Sequence, residues 1–202
     1  MESFRVEGCR GLNGCRRAVA DTSILKEMIE KTFAEINFHS KRRKQLGSGF
    51  KEHHVFKVCL AGCANCCSQP QIKDFGLIAK ALPEFNNKSC NFCGACCKAC
   101  KELGLKIDRD TLIFDKEKCL GCGDCWRVCP NNAIKPTTVV WRLLLGGKLG
   151  RHPQLTQEIT EVDEKEVLEH LRKSLKLVLE ADNPKKRFAD LLKEKSISKK
   201  GI

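Results

Sequence analysis

Fifteen cysteines stand in this chain of 202 residues, and twelve of them fall into spaced sets suited to holding metal. Cys119, Cys122, Cys125 and Cys129, followed by Pro130, keep the spacing of bacterial ferredoxins, and Cys90, Cys93, Cys96 and Cys100 repeat it without the proline. Three thiolates at i, i+3 and i+6 wrap three corners of a cubane, and the fourth comes from the other run. The spacing therefore predicts one [4Fe–4S] cluster on Cys90, Cys93, Cys96 and Cys129 and a second on Cys119, Cys122, Cys125 and Cys100. Paired Cys-x2-Cys is also zinc spacing. Zinc is satisfied by two pairs, however, whereas a duplicated run ending in Cys-Pro favours iron and sulfur.

Cys9-x5-Cys15 and Cys63-x3-Cys67 are each weak signals alone. Together they offer four thiolates from two distant loops, enough for a third [4Fe–4S] cubane, and one thiolate sulfur can bridge to a further metal centre. Cys59, Cys66 and Cys97 remain. Cys59 lies inside an apolar run and reads as a small buried hydrophobe; Cys66 and Cys97 adjoin ligands and point elsewhere. Cys59-x3-Cys63-x2-Cys66 also has radical-SAM spacing, but Asn65 stands where an aromatic is usual. The stretch before Cys90 is also too short for the repeated strand–helix units of that barrel.

The elements that must position these thiolates follow from the apolar pattern. Asp21 to Phe38 is expected to be an amphipathic helix, capped by Asp21, Thr22 or Ser23, with Leu25, Met28, Ile29, Phe33 and Ile36 on one face. A basic loop from Ser40 to Lys51 then leads into a strand, Val55 to Leu60, ending at Gly62-Cys63. Lys73 to Leu82 is a second apolar segment, and Pro83 a break. Leu103 to Phe114 is expected to form a hairpin or a short helical excursion, and Val139 to Leu145 a strand turned by Gly146 to Gly150. Glu164 to Leu179 reads as a helix with Leu168, Leu171, Leu175 and Leu179 in a stripe, and Pro184 opens a shorter basic helix to about Lys195. The apolar pattern stops before the paired cysteine runs and restarts after them. This predicts an α+β host domain of residues 1–83 and 137–202, interrupted by an inserted ferredoxin domain of residues 84–136.

Composition bounds the setting. A high cysteine load with no signal peptide argues for metal ligation in a reducing compartment, so a cytoplasmic protein of an anaerobic host is expected. No apolar run is long enough to span a bilayer. The formal charge of +12 calls for an anionic partner: nucleic acid, an acidic protein or a polycarboxylate cofactor. Basic residues crowd before the third ligand of the dispersed set, at Lys41, Arg42, Arg43, Lys44, Lys51 and Lys57, with His53 and His54 among them. Zinc-finger, RNP and helix-turn-helix signatures are missing, and so is Tyr, which argues against nucleic acid.

Cys-x5-Cys followed by Cys-x3-Cys resembles the sirohaem sulfite and nitrite reductases. Cys63-Ala64-Asn65-Cys66-Cys67 resembles that family's Gly-Cys-Pro-Asn-x-Cys loop, with Asn65 at its Asn position, and Asp74-Phe75-Gly76 matches the Asp-x-Gly that follows. Trp141 to Gly150 resembles its strand and Gly-Gly turn, and Cys15 to Thr22 the start of the helix after its second ligand. A ferredoxin domain inserted here is similar to dissimilatory sulfite reductase subunits and to the small subunit of anaerobic sulfite reductase. The resemblance implies that Cys9, Cys15, Cys63 and Cys67 hold a catalytic [4Fe–4S] cluster and that Cys67, the catalytic ligand, shares its sulfur with the iron of sirohaem. It implies that Asn65 contributes to cofactor binding. Because sirohaem is a polycarboxylate, Arg42, Arg43, Lys44 and Lys51 are expected to bind it, with His53, His54 and His152 nearby as surface or carboxylate contacts. The implied reaction is multi-electron reduction of a small inorganic anion, sulfite to sulfide or alternatively nitrite, fed by a redox donor protein. In the full-length family a preceding half supplies much of the sirohaem pocket, and here eight residues precede Cys9. Either a partner subunit or a second copy completes it, or the chain is a minimal reductase, or it binds the cofactor without reducing these anions. The competing reading is an electron-transfer protein without turnover of its own.

Overall fold

The computed structural model describes residues 2–9, 11 and 14–200. Its main sheet has five strands in the order β1 (Phe4–Gly8), β2 (Phe56–Ala61), β3 (Phe75–Lys80), β8 (Val140–Leu145) and β9 (Gln157–Val162). β1, β2 and β3 run parallel, β8 runs antiparallel to them, and β9, antiparallel to β8, returns in the direction of the first three. β2 and β3 are buried along nearly their whole length, as expected of central strands covered on both faces. Alternation assigns the faces. Val58, Leu60, Leu77, Ala79, Trp141 and Leu143 join one large core, whereas Ala61, Ile78 and Leu144 form a small cluster on the opposite face with Cys66.

Four helices belong with the large core: α1 (Ser23–Glu35), α2 (Phe38–Leu46), α5 (Glu164–Leu179) and α6 (Phe188–Lys200). Asp163 and Glu166 cap α5 reciprocally, each carboxylate accepting the other's backbone N–H at 2.9 Å. Its buried stripe is Val167, Leu171, Ser174, Leu175 and Val178; Leu168 and Leu179 only flank it. The helix expected over 21–38 is α1, which stops at Glu35, and a second helix that was not expected begins just after it. Asn37 adopts a left-handed conformation, φ 54°, and the chain turns there so that Phe38 meets the rings of Phe33 and Phe56. The basic segment expected as a loop is thus mostly α2, whose buried residues are Phe38, Arg42 and Leu46. These are spaced one turn apart, with a charge in the middle. β1 and β9 were not expected at all.

Between β3 and β8 the chain leaves the sheet. β4 (Pro83–Phe85) pairs antiparallel with β7 (Ile134–Pro136), and the Thr137 N–H donates to the Leu82 carbonyl at 2.8 Å, so the excursion closes where it opened. Within it, β5 (Leu105–Asp108) and β6 (Thr111–Phe114) form a hairpin. Two short helices, α3 (Ala95–Ala99) and α4 (Asp124–Arg127), each follow a left-handed glycine, Gly94 and Gly123. Phe92 and Gly121 are also left-handed, so the two cysteine runs repeat in backbone as well as in sequence. Cys96, Leu105, Cys125 and Ile134 make a separate small core. Among the described residues, no helix is long and apolar enough to cross a membrane.

Candidate functional site

β1 and β2 end side by side, and the dispersed cysteines gather where they end. The Cys9 N–H donates to the Leu60 carbonyl at 3.1 Å, and the Val19 N–H reaches the Gly62 carbonyl at 2.7 Å, which brings the 15–19 segment back over the end of β2. Cys9, Cys15, Cys63 and Cys67 line one cavity of about 410 Å³, together with Arg17, Asn65 and Cys66. The Cys9 sulfur accepts from the backbone N–H groups of Gly11 at 3.4 Å and Gly62 at 3.3 Å, and Cys67 accepts from Asn65 Nδ2 at 3.0 Å. Burial pushes the Cys63 thiol up; the Asn65 backbone N–H opposes this, and the neighbouring Cys9, Cys15 and Cys67 add to it.

The loop carrying Cys67 is held against the free face of the sheet. Cys59, buried on that face, donates from sulfur to the Ser68 carbonyl at 3.1 Å, and the Ser68 hydroxyl donates to the Leu60 carbonyl at 2.8 Å. Burial raises the Cys59 thiol to about 11, and its bond to Ser68 anchors the Cys67 loop. Gly76 lets the returning loop pass close by: a Cβ there would lie 2.5 Å from the Pro70 carbonyl oxygen. This is the glycine of the Asp-x-Gly sequence.

The excursion leaves from the same end of the sheet and carries two further thiolate sets. Cys90, Cys93, Cys96 and Cys129 line one cavity; Cys100, Cys119, Cys122 and Cys125 line another. The fourth cysteine of each run thus sits with the other run. Backbone N–H groups of Gly104, Gly121 and Ala133 donate to the sulfurs of Cys100, Cys119 and Cys129 at 3.2–3.3 Å. Bonds of this kind favour the thiolate form and tune cluster potentials. Burial raises Cys125 to about 12 and pushes Cys96 and Cys122 up as well, so loading metal must expel protons. Among the described residues, no three Cys, His, Asp or Glu side chains gather tightly enough to hold a single metal ion. The cysteines of each set ring a cavity. Cys63, Asn65 and Arg17 line both the Cys9 cavity and the Cys100 cavity, so these two sites share a wall.

Arg42, Arg43, Lys44 and Lys51 are not brought to the thiolates. They precede β2, whereas Cys63 follows it, and a six-residue strand separates its ends by roughly 17–20 Å. Arg42 is 2% exposed, and burial lowers its pKa against the pull of Asp74; Arg43 lies over the Phe50 ring. His53 and His54 share that end of the sheet, and His152 follows β8, whose last residue pairs with the first of β3. The expectation that these groups border the cluster loop is corrected by the reversal of the chain at Asn37, which folds the basic segment onto the sheet's other end. Among the described residues, the basic side chain that does line the site is Arg17. Nothing in the sequence singled it out, because a pair of arginines after Cys15 is unremarkable among 37 Lys and Arg residues.

The chain matches the nitrite and sulphite reductase 4Fe-4S domain over residues 3–199. It is 31% identical over 103 residues to a coenzyme F420-dependent sulfite reductase of Methanocaldococcus jannaschii, a match covering 51% of this chain and 14% of that protein. Its fold is similar to that of dissimilatory sulfite reductase I, with a TM-score of 0.65 at 16% identity, covering 98% of this chain and 51% of that one. It is also similar to that of the NirA protein of Mycobacterium tuberculosis, with a TM-score of 0.51 at 15% identity, covering 94% and 25%. The chain therefore spans at most about half the length of these relatives. With a match that runs almost from end to end, the chain belongs to the nitrite and sulphite reductase 4Fe-4S domain family.

Proposed function

We propose that this chain is a subunit of a sirohaem- and iron–sulfur-dependent oxidoreductase that reduces sulfite to sulfide. The observation that carries the reading is the shared wall: Cys63, Asn65 and Arg17 stand between the Cys9–Cys15–Cys63–Cys67 cavity and the cavity holding Cys100. Residues 84–136 are then an inserted ferredoxin domain with two [4Fe–4S] sites, on a host of residues 1–83 and 137–202 that holds the third. When bound, the clusters supply one-electron relay, and sirohaem supplies a centre for multi-electron reduction of an oxyanion. The chain's own groups do the rest. Cys67 is an exposed residue whose sulfur Asn65 orients through its amide, and Arg17 takes the place of the displaced basic residues as a carboxylate contact. Sulfite is preferred over nitrite because the curated relative is a sulfite reductase. A redox donor protein feeds the excursion, a partner subunit or second copy completes the sirohaem pocket, and the setting is a reducing cytoplasm.

Anaerobic purification followed by an absorption spectrum, acid–acetone extraction and an iron count tests this. A sirohaem-like extract with about thirteen irons, three cubanes and one haem, followed by sulfide production from sulfite and a reduced dye, is expected. About twelve irons and no tetrapyrrole, even with the partner present, would replace this reading with that of an electron carrier.

A further inference from the structure

Arg127 ends α4 inside the excursion, yet its side chain closes on the loop that carries Cys15. Nη1 donates to the Cys122 carbonyl at 2.7 Å, and Nη2 donates to the carbonyls of Arg17 at 2.9 Å and Ala18 at 3.2 Å. One planar fork therefore joins the backbone at a thiolate of the Cys100 cavity to the backbone just after a thiolate of the Cys9 cavity. Asp124 steadies the fork, with Oδ1 at 3.4 Å from Nη1. Among the described residues, no other side-chain hydrogen bond or ion pair joins residues 84–136 to the rest of the chain.

Gly123 gives independent support. Its φ is +85°, and a Cβ there would lie 2.8 Å from Arg127 Nη1 and 2.5 Å from the Trp126 ring. The fork fits because residue 123 has no side chain.

We propose that Arg127 is a positioning residue that fixes the separation and orientation of the Cys100–Cys119–Cys122–Cys125 and Cys9–Cys15–Cys63–Cys67 sites. The inference rests on the reading that both sites hold clusters. A guanidinium donates in fixed directions to both loops at once, and charge-assisted bonds to carbonyls are the strong kind. Lysine keeps the charge but not the fork.

The test uses the full chain, loaded and reduced anaerobically, with electron paramagnetic resonance reading the magnetic coupling between reduced clusters. A Cys9→Ala control identifies the share of coupling that involves the dispersed set. In Arg127→Lys and Arg127→Met, iron content is expected to match wild type while that share of the coupling is lost. Amide exchange over residues 15–20 is expected to quicken in both. An Arg127→Lys protein that behaves as wild type would show that charge alone matters and overturn the clamp, as would loaded wild type lacking the coupling. Should the Met variant fail to fold, the Lys variant decides. Wild type without clusters would instead sink the cluster reading itself, and the clamp with it.

Discussion

Asp74 and His54 both lie buried at the basic end of the sheet, and their titrations oppose each other. Burial raises Asp74 from 3.8 to about 6, against the pull of the Lys57 backbone N–H and of Arg187 and Lys57. Between those values the folded chain keeps a proton that the unfolded chain has lost. Stability from Asp74 is therefore full below pH 3.8 and is lost as pH rises through 6, by about 3 kcal/mol. Burial lowers His54 from 6.5 to about 4, helped by His53, Arg42, Lys51 and Lys185. Its Nδ1 accepts the Lys51 N–H at 3.0 Å, which only a bare ring nitrogen can do. Its contribution is full above pH 6.5 and is lost as pH falls through 4. Between pH 4 and 6 the wild type is thus expected to have a shallow urea-midpoint profile. Asp74→Asn should uncover a midpoint that climbs with pH, and His54→Asn one that declines; parallel profiles for all three proteins would refute this. Neither residue advertised itself in the sequence. Asp74 was legible only as part of Asp-x-Gly, and His54 as one of a histidine pair, whereas the cysteines declared their grouping through spacing that clusters impose on short loops.

Among the elements, α5 was legible to both ends, because Asp163 and Glu166 mark its start and a clear apolar face fills its length. Leu171 on that face is fully buried, and Leu171→Ala should cost about 3 kcal/mol, read as a lowered urea midpoint. α2 and β9 were illegible for a common reason. Each buries too few apolar residues to print a period: α2 spends one of its three buried positions on Arg42, and β9 is exposed at every position except Val162. An edge strand rich in Glu and Thr looks like a loop until its neighbour supplies the hydrogen bonds. β3 shows the opposite economy, since Gly76 gives up packing so that the Cys67 loop can cross it. Gly76→Ala is expected to displace that loop and cost the protein one cluster, about four irons, while the excursion's absorption persists. Retention of the full iron count would contradict it.

Across the whole molecule, the sheet and the excursion have separate cores and meet at the strand ends. Replacing residues 83–136 with a short turn should leave a folded sheet that keeps roughly a third of the iron, checked by circular dichroism and metal analysis. A molten or insoluble product would mean that the excursion is structurally indispensable. The interruption itself was visible as a gap in apolar patterning. The docking angle was not, since it depends on single contacts such as Arg127 to the Arg17 and Ala18 carbonyls. The paired ends of the excursion, with Thr137 hydrogen-bonded to Leu82, also bear on chain entropy. To β3 and β8, a segment that fastens its own ends presents itself as a tight turn, whatever its contour length. Were β4 and β7 to part, the hairpin would have to close over the whole slack chain, a penalty of about 2 kcal/mol for a loop grown more than tenfold. Loss of order in the excursion is thereby felt in a sheet whose own contacts have not changed.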